Sequence, residues 1–202
     1  MKANVGMRYA VAALVDEYTP YSGITYEDGF VVSEARGAAV TWETENGEFR
    51  GDDMVLDTAR GVLGYTIEFE TAGLKDTVRA DLLGEEIDSG DAYHITGAEA
   101  PDVGFGYVKQ MREDDTDGVV GTTWEVFWYH KVKFGQPNEE ARTKEASMEW
   151  RVPTITGAGA GVFLSSTADH PDYAEHKTFS SFSAARSFLN GLAGIDDSAV
   201  TT

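Results

Sequence analysis

With 202 residues, 16 Lys and Arg against 35 Asp and Glu and a formal net charge of −19, the chain is strongly acidic and long enough for one domain with a sizeable core. It has no cysteine, which excludes disulfides and thiolate chemistry. The acidity argues against a protein that grips nucleic acid, since cations are needed to displace counterions. It permits one past which nucleic acid slides without sticking.

No apolar run approaches the length of a membrane span, and Met1 to Met7 lacks the apolar core of a signal peptide. The expectation is a soluble protein folded in a cytoplasm. The 22 glycines are spread along the chain, as many short strands and turns require.

In chain order, Met1 to Met7 reads as a short arm and Arg8 to Val15 as the first strand. Tyr18 to Gly23 is a turn region, and Ile24 to Ser33 a second strand bent by Gly29. Between Arg36 and Glu45, Val40 and Trp42 alternate with Ala39, Thr41, Glu43 and Glu45. Asn46-Gly47 is a strong hairpin signal. Glu48 to Gly61 then reads as a long polar loop. From Val62 to Glu70, Leu63, Tyr65, Ile67 and Phe69 form one face; Gly64, Thr66, Glu68 and Glu70 form the other.

The period changes after Gly73. Leu74, Val78 and Leu82 fall at helical spacing and Gly84 is a natural C-cap, which predicts a short amphipathic helix. Ile87 to Thr96 is a strand candidate, and Val103 opens another that runs to about Met111. Glu113 to Gly118 is an acidic turn.

The chain is organised around Trp124 to Gly157. In its first arm Trp124, Val126, Trp128, Val132 and Phe134 alternate with residues that include Glu125, Lys131 and Lys133. Pro137 marks the strand end. The second arm sets Ala146, Met148, Trp150 and Val152 against Glu145, Ser147, Glu149 and Arg151. Two such arms predict the core of an antiparallel sheet. Ala158 to Gly161 reads as a flexible joint, Val162 to Ser165 as a short strand and Thr167 to His176 as polar loop. Ser181 is an N-cap for a helix with the stripe Ala185, Phe188, Leu189 and Leu192, closed near Gly191 or Gly194.

Catalytic signatures are largely missing. In the acidic turn, an EF-hand alignment on Gly118 places Trp124 where a bidentate Glu should close the loop. Gly157 to Gly161 satisfies neither a P-loop nor a dinucleotide fingerprint. His94, His130, His170 and His176 lie far apart without ligand spacing. The tryptophans at 42, 124, 128 and 150 sit on the apolar phase of strands, as core residues do. No catalytic residue, metal or cofactor is expected.

The block Trp128-Tyr129-His130-Lys131-Val132-Lys133-Phe134, then Pro137, Thr143-Lys144 and Val152-Pro153-Thr154-Ile155-Thr156-Gly157, resembles the signature of the major tail proteins of long-tailed siphophages. Those proteins build the tail tube. The pattern there begins Trp-Tyr-Pro-Lys, so His130 departs from it, at a strand position that accepts either residue. Ala3-Asn4-Val5-Gly6, Asp52-Asp53, Leu82-Leu83-Gly84 and Gly104-Phe105-Gly106 extend the resemblance over nearly the whole chain.

The resemblance implies a mainly β domain with minor α: a tail-tube-type sandwich or barrel of antiparallel strands with a flanking helix and a short C-terminal helix. One tail tube domain would span 1–194, with a flexible tail at 195–202. It further implies hexameric rings whose strands join into an inner barrel, stacked into a hollow conduit for DNA ejection. Asp52, Asp53, Asp57 and Arg60 would lie on an extended loop reaching a neighbouring subunit. The expected partners are copies of the chain, other tail proteins at the tube ends, and viral DNA passing without specific binding; no membrane is involved. The protein would be made in the host cytoplasm and reside in the virion tail.

The strand phases add one expectation of their own. Glu43, Glu45, Glu68, Glu70, Glu145 and Glu149 fall on the polar faces of their strands, and in a ring such a face would line the bore. The competing expectation is a carbohydrate-binding β-sandwich module, which needs exposed aromatic residues.

Overall fold

The computed structural model describes residues 2–32, 35–51, 54–87, 93–95, 97–114, 120–137 and 154–196. Its elements run β1 (Lys2–Thr19), β2 (Gly23–Val31), β3 (Ala35–Gly51), β4 (Met54–Thr71), α1 (Asp76–Leu83), β5 (Glu86–Ile87), β6 (Tyr93–His94), β7 (Val103–Asp114), β8 (Val120–Phe134), β9 (Thr154–Gly159), β10 (Ala174–Phe179) and α2 (Phe182–Ala193). Eight strands form one sheet in the order β2-β1-β7-β8-β9-β4-β3, with β10 also paired to β8; β5 and β6 pair separately.

Mainly β with minor α is what folds, but the expected sandwich or barrel is not. The sheet is single and open, and its end strands β2 and β3 do not pair with each other. Periodicity shows that a strand face is buried, not what buries it. Here side chains of the sheet and α1 fill one side, and α2 covers part of the other. Tyr65, Ile67, Phe69, Phe105, Tyr129, Val132, Phe134 and Ile155 gather on the first side with Val78 and Leu82 of α1. Val11, Ala13, Val108, Trp124, Val126 and Trp128 gather on the second with Ala185, Leu189 and Ala193 of α2. β1 is buried on both sides, so Ala10 to Ala13 are small or β-branched and each at most 1% exposed. Gly106 lets α2 approach β7; a Cβ there would lie 2.6 Å from Leu189 Cδ1.

The first arm of the central stretch does not keep one apolar face. Val103 pairs with Val132 but Phe105 pairs with Tyr129, so β8 carries one extra residue opposite β7. The bulge flips the phase. Trp124, Val126 and Trp128 face α2, whereas Val132 and Phe134 face the other cluster. His130 therefore sits in a bulge, not in a regular strand position. There β8 also exchanges partners, from β10 (Trp124 to Tyr129) to β9 (Val132 to Phe134). Two tyrosine hydroxyls satisfy the bulge carbonyls: Tyr26 donates to His130 O at 2.9 Å and Tyr65 to Lys131 O at 3.1 Å. Burial raises the pKa of both phenols, which keeps them as donors.

The predicted joint at Ala158 to Gly161 is partly strand. β9 runs to Gly159 and pairs β4 from Tyr65 to Glu70. Its glycines serve close approach instead of bending: a Cβ at Gly159 would lie 2.0 Å from Tyr65 Cζ, and one at Gly157 2.7 Å from Val132 Cγ1. The polar loop at Thr167 to His176 hides the start of β10, whose exposed residues carry no apolar alternation. The predicted strand at Val162 is a single bridge to Asp172. The first strand begins at Lys2 and absorbs the predicted arm. Of Ile87 to Thr96, the described residues form the short β5–β6 pair, and 88–92 and 96 lie outside the described residues.

Both helices form where expected. Gly84 and Gly194 close them in the left-handed region at φ 69, and the Ser181 hydroxyl accepts from Ala184 N–H. Arg79 of α1 pairs with Glu85 at 2.9 Å, and Gln136 beyond β8 donates to Glu85 at 2.8 Å and accepts from Arg79 at 3.3 Å. The buried Arg79–Glu85 pair and the exposed Gln136 tie α1 to the end of the central strand. Ile195, expected in the tail, packs against the α2 cluster and its N–H donates to Asn190 O, while 197–202 lie outside the described residues. The acidic turn beyond Asp114 and the second arm with Glu145, Glu149 and Trp150 lie outside the described residues.

Candidate functional site

Register places the predicted glutamates. Opposed residues of an antiparallel pair share a face. Ala39 lies opposite Glu68 and Gly37 opposite Glu70, while β9 sets Thr156 opposite Glu68 and Thr154 opposite Glu70. Glu43 is on the same face, because Thr66 donates to its carboxylate at 3.3 Å and Thr41 pairs with Thr66. Glu45 shares the phase of Glu43 along β3. All four glutamates are exposed. Lys133 lies opposite Ala158 and Ala158 opposite Thr66, so this is also the side of Lys133. By the bulge phase it is the side on which α2 sits.

That side is thus divided. Among the described residues, α2 covers the half made by β1, β7 and β8, and leaves the β9–β4–β3 half as a bare surface of carboxylates and threonine hydroxyls. Among the described residues none of these four glutamates has a salt-bridge partner. The nearby cations are already engaged: Lys131 pairs with Asp102 at 3.2 Å, and Lys133 with Glu99 and Asp102. Glu145 and Glu149, expected to join them, lie outside the described residues.

The polar segment expected as a loop is the far half of a hairpin. β3 and β4 stay paired through Asn46↔Arg60 and Phe49↔Asp57 to Gly51↔Met54. Asn46-Gly47 therefore does not turn the chain, because the pairing continues past it. Asp57 and Arg60 belong to β4, and Asp52 and Asp53 lie outside the described residues between the two strands. β9 supports β4 only from Tyr65 to Glu70, so the distal part pairs only with itself among the described residues.

Sequence phase put all four tryptophans in the core. Trp124 and Trp128 are there, but Trp42 is 45% exposed. It leans on Tyr65 and Tyr173, with ring centroids at 5.4 and 6.0 Å, beside a hollow of about 690 Å³. Val62 and Thr44 flank it, and Tyr173 donates to Val62 O at 2.6 Å. Across the hollow His176 packs on Phe127 at 4.6 Å, and its Nε2 lies 3.9 Å from the nearly buried Glu125. Sequence reasoning missed this site because β10 and the Tyr173 segment carry no periodic signal, and Trp42, Tyr129 and Tyr173 lie far apart along the chain.

Among the described residues no group of three or more His, Asp or Glu could hold a metal, and no helix is long and apolar enough to cross a membrane. No protein-family model matches the chain, and no curated protein matches it.

Proposed function

We propose that the chain is a structural virion protein, the major tail subunit of a long-tailed phage, which polymerises as stacked hexameric rings into the conduit for DNA ejection. The observation that carries this reading is the acidic half-face, bare among the described residues, that ends at the edge strand β3. An unpaired edge is a template for another chain. Identical copies arranged around an axis can complete one another's edges, β3 against β2, and close the set.

The uncovered side then supplies a wall of Glu43, Glu45, Glu68 and Glu70 that repels a polyanion instead of binding it. The long β3–β4 hairpin, whose second strand includes Asp57 and Arg60, reaches a neighbouring subunit. The resemblance of Trp128 to Thr156 to tail proteins points the same way. In this reading the protein performs no chemistry, its partners are its own copies and the proteins at the tube ends, and it resides in the virion.

Electron microscopy of the concentrated protein tests the reading. Hollow tubes or rings are the expected result, and a strictly monomeric protein at every concentration overturns it.

A further inference from the structure

We propose that the hollow beside Trp42 binds a neutral pyranose ring of a saccharide. The site does not depend on ring assembly, since every group that builds it belongs to one copy.

Two aromatic platforms bound the hollow. Trp42 is held by Tyr65 and Tyr173, the latter nearly perpendicular to it at 88°. Phe127 and His176 form the second, tilted by 32°. Both exist before any ligand arrives, so little ordering is lost on binding. The C–H face of a pyranose is apolar and suits such rings, whereas its rim of hydroxyls needs fixed polar groups.

Besides its tyrosines, the hollow is lined by three residues with polar side chains, Thr44, Asp172 and His176. Asp172 is fixed by its backbone, which exchanges two hydrogen bonds of 2.8 Å with Val162, while its side chain stays 53% exposed. His176 is steadied between Phe127 and Glu125. A few placed polar groups in an aromatic-lined hollow of a few hundred Å³ is the usual form of a small-molecule site.

Charge and size choose the class. Asp172 at the hollow and the overall charge of −19 disfavour acidic sugars and phosphates, whereas Glu125 behind His176 is paired with Lys109 at 3.3 Å. An aromatic cage for a quaternary ammonium closes rings around a single point. At about 690 Å³ this hollow is several times too large for that and fits one or two sugar rings.

Ligand-observed saturation-transfer NMR tests the proposal and works on monomers and assemblies alike. The probes are methyl α-glucopyranoside, methyl β-galactopyranoside and N-acetylglucosamine, with choline and glucuronate as competitors of other classes. At least one neutral sugar should receive saturation at its ring C–H protons. Trp42→Ala should lower that signal by about fivefold or more, as expected for loss of one aromatic contact. Asp172→Asn, a change at an exposed side chain, should weaken it independently. Near-UV circular dichroism confirms that the packing around Trp124 and Trp128 is unchanged in both variants. No transfer to any neutral sugar, transfer that survives both substitutions, or preferred binding of choline or glucuronate overturns the proposal. Tube formation, scored separately by microscopy, reports on the assembly reading alone.

Discussion

Tyr65 occupies the space a side chain at position 159 would need. Both residues belong to the contact between β4 and β9, and Tyr65 is 1% exposed, so neither backbone nor ring has room to yield. Gly159→Ala should destabilise the fold by about 1–3 kcal/mol through overpacking, seen as a lower urea midpoint. His130 makes a different prediction. Its Nε2 is buried without a hydrogen bond, 3.7 Å from Asp172. Burial lowers its pKa, and this outweighs the opposite pull of Asp172 and Glu175. An unfolded imidazole takes up its proton near about 6.5. Below that pH the unfolded state binds more protons than the native state. Stability is therefore lost as pH falls from the unfolded value toward the lower folded one, and is unaffected above. In His130→Gln this part of the pH slope should vanish, which urea midpoints at about pH 7.5 and 5.5 would reveal by difference from the parent.

At the scale of elements, α2 and the hairpin behave oppositely. α2 buries Ala185, Leu189 and Ala193 against β1, β7 and β8, so its formation is coupled to the whole core. Removing its cap with Ser181→Ala should cost about 1 kcal/mol, with the urea midpoint lowered and the slope unchanged. Among the described residues, the distal hairpin pairs only with itself. Shortening it between Glu45 and Gly61 to a tight turn should leave the melting temperature nearly unchanged and abolish tube formation. A truncated protein that still forms tubes would remove its role as a bridge between subunits. The bulge in β8 is the element on which the rest turns. One extra residue lets a single strand present tryptophans to α2 and then Val132 and Phe134 to the opposite cluster. It also frees the strand to pair first with β10 and then with β9.

For the whole molecule, the decisive feature is asymmetry of cover. One side of the sheet is filled with aromatic side chains and α1. The other is half covered by α2 and, among the described residues, half bare and acidic. Replacing Glu43, Glu45, Glu68 and Glu70 by Lys should leave the fold intact, because all four side chains are exposed, and should lower DNA ejection by making the bore wall cationic. Normal ejection by an assembled lysine variant would discard the repulsive role of that face.

Some of this was legible in the chain alone. The alternation of Tyr65, Ile67 and Phe69 determined a half-buried strand, but Leu63, assigned to the same face, is 62% exposed because the β3–β4 register shifts beside it. The spacing of Leu74, Val78 and Leu82 before Gly84, and of Ser181 before Ala185 and Leu189, determined two capped helices. The phase of Glu43, Glu45, Glu68 and Glu70 placed them on an exposed face. These signals are local, since each is carried by residues within a turn or two of one another. What only the tertiary structure decided involves partners distant in sequence. It decided that the sheet stays single and open, that β8 bulges at His130 and changes sides, that Gly159 lies against Tyr65, and that Trp42 meets Tyr173 at the edge of a hollow. Strand pairing and close approach are set by what lies across the gap, and a linear pattern does not record its opposite bank.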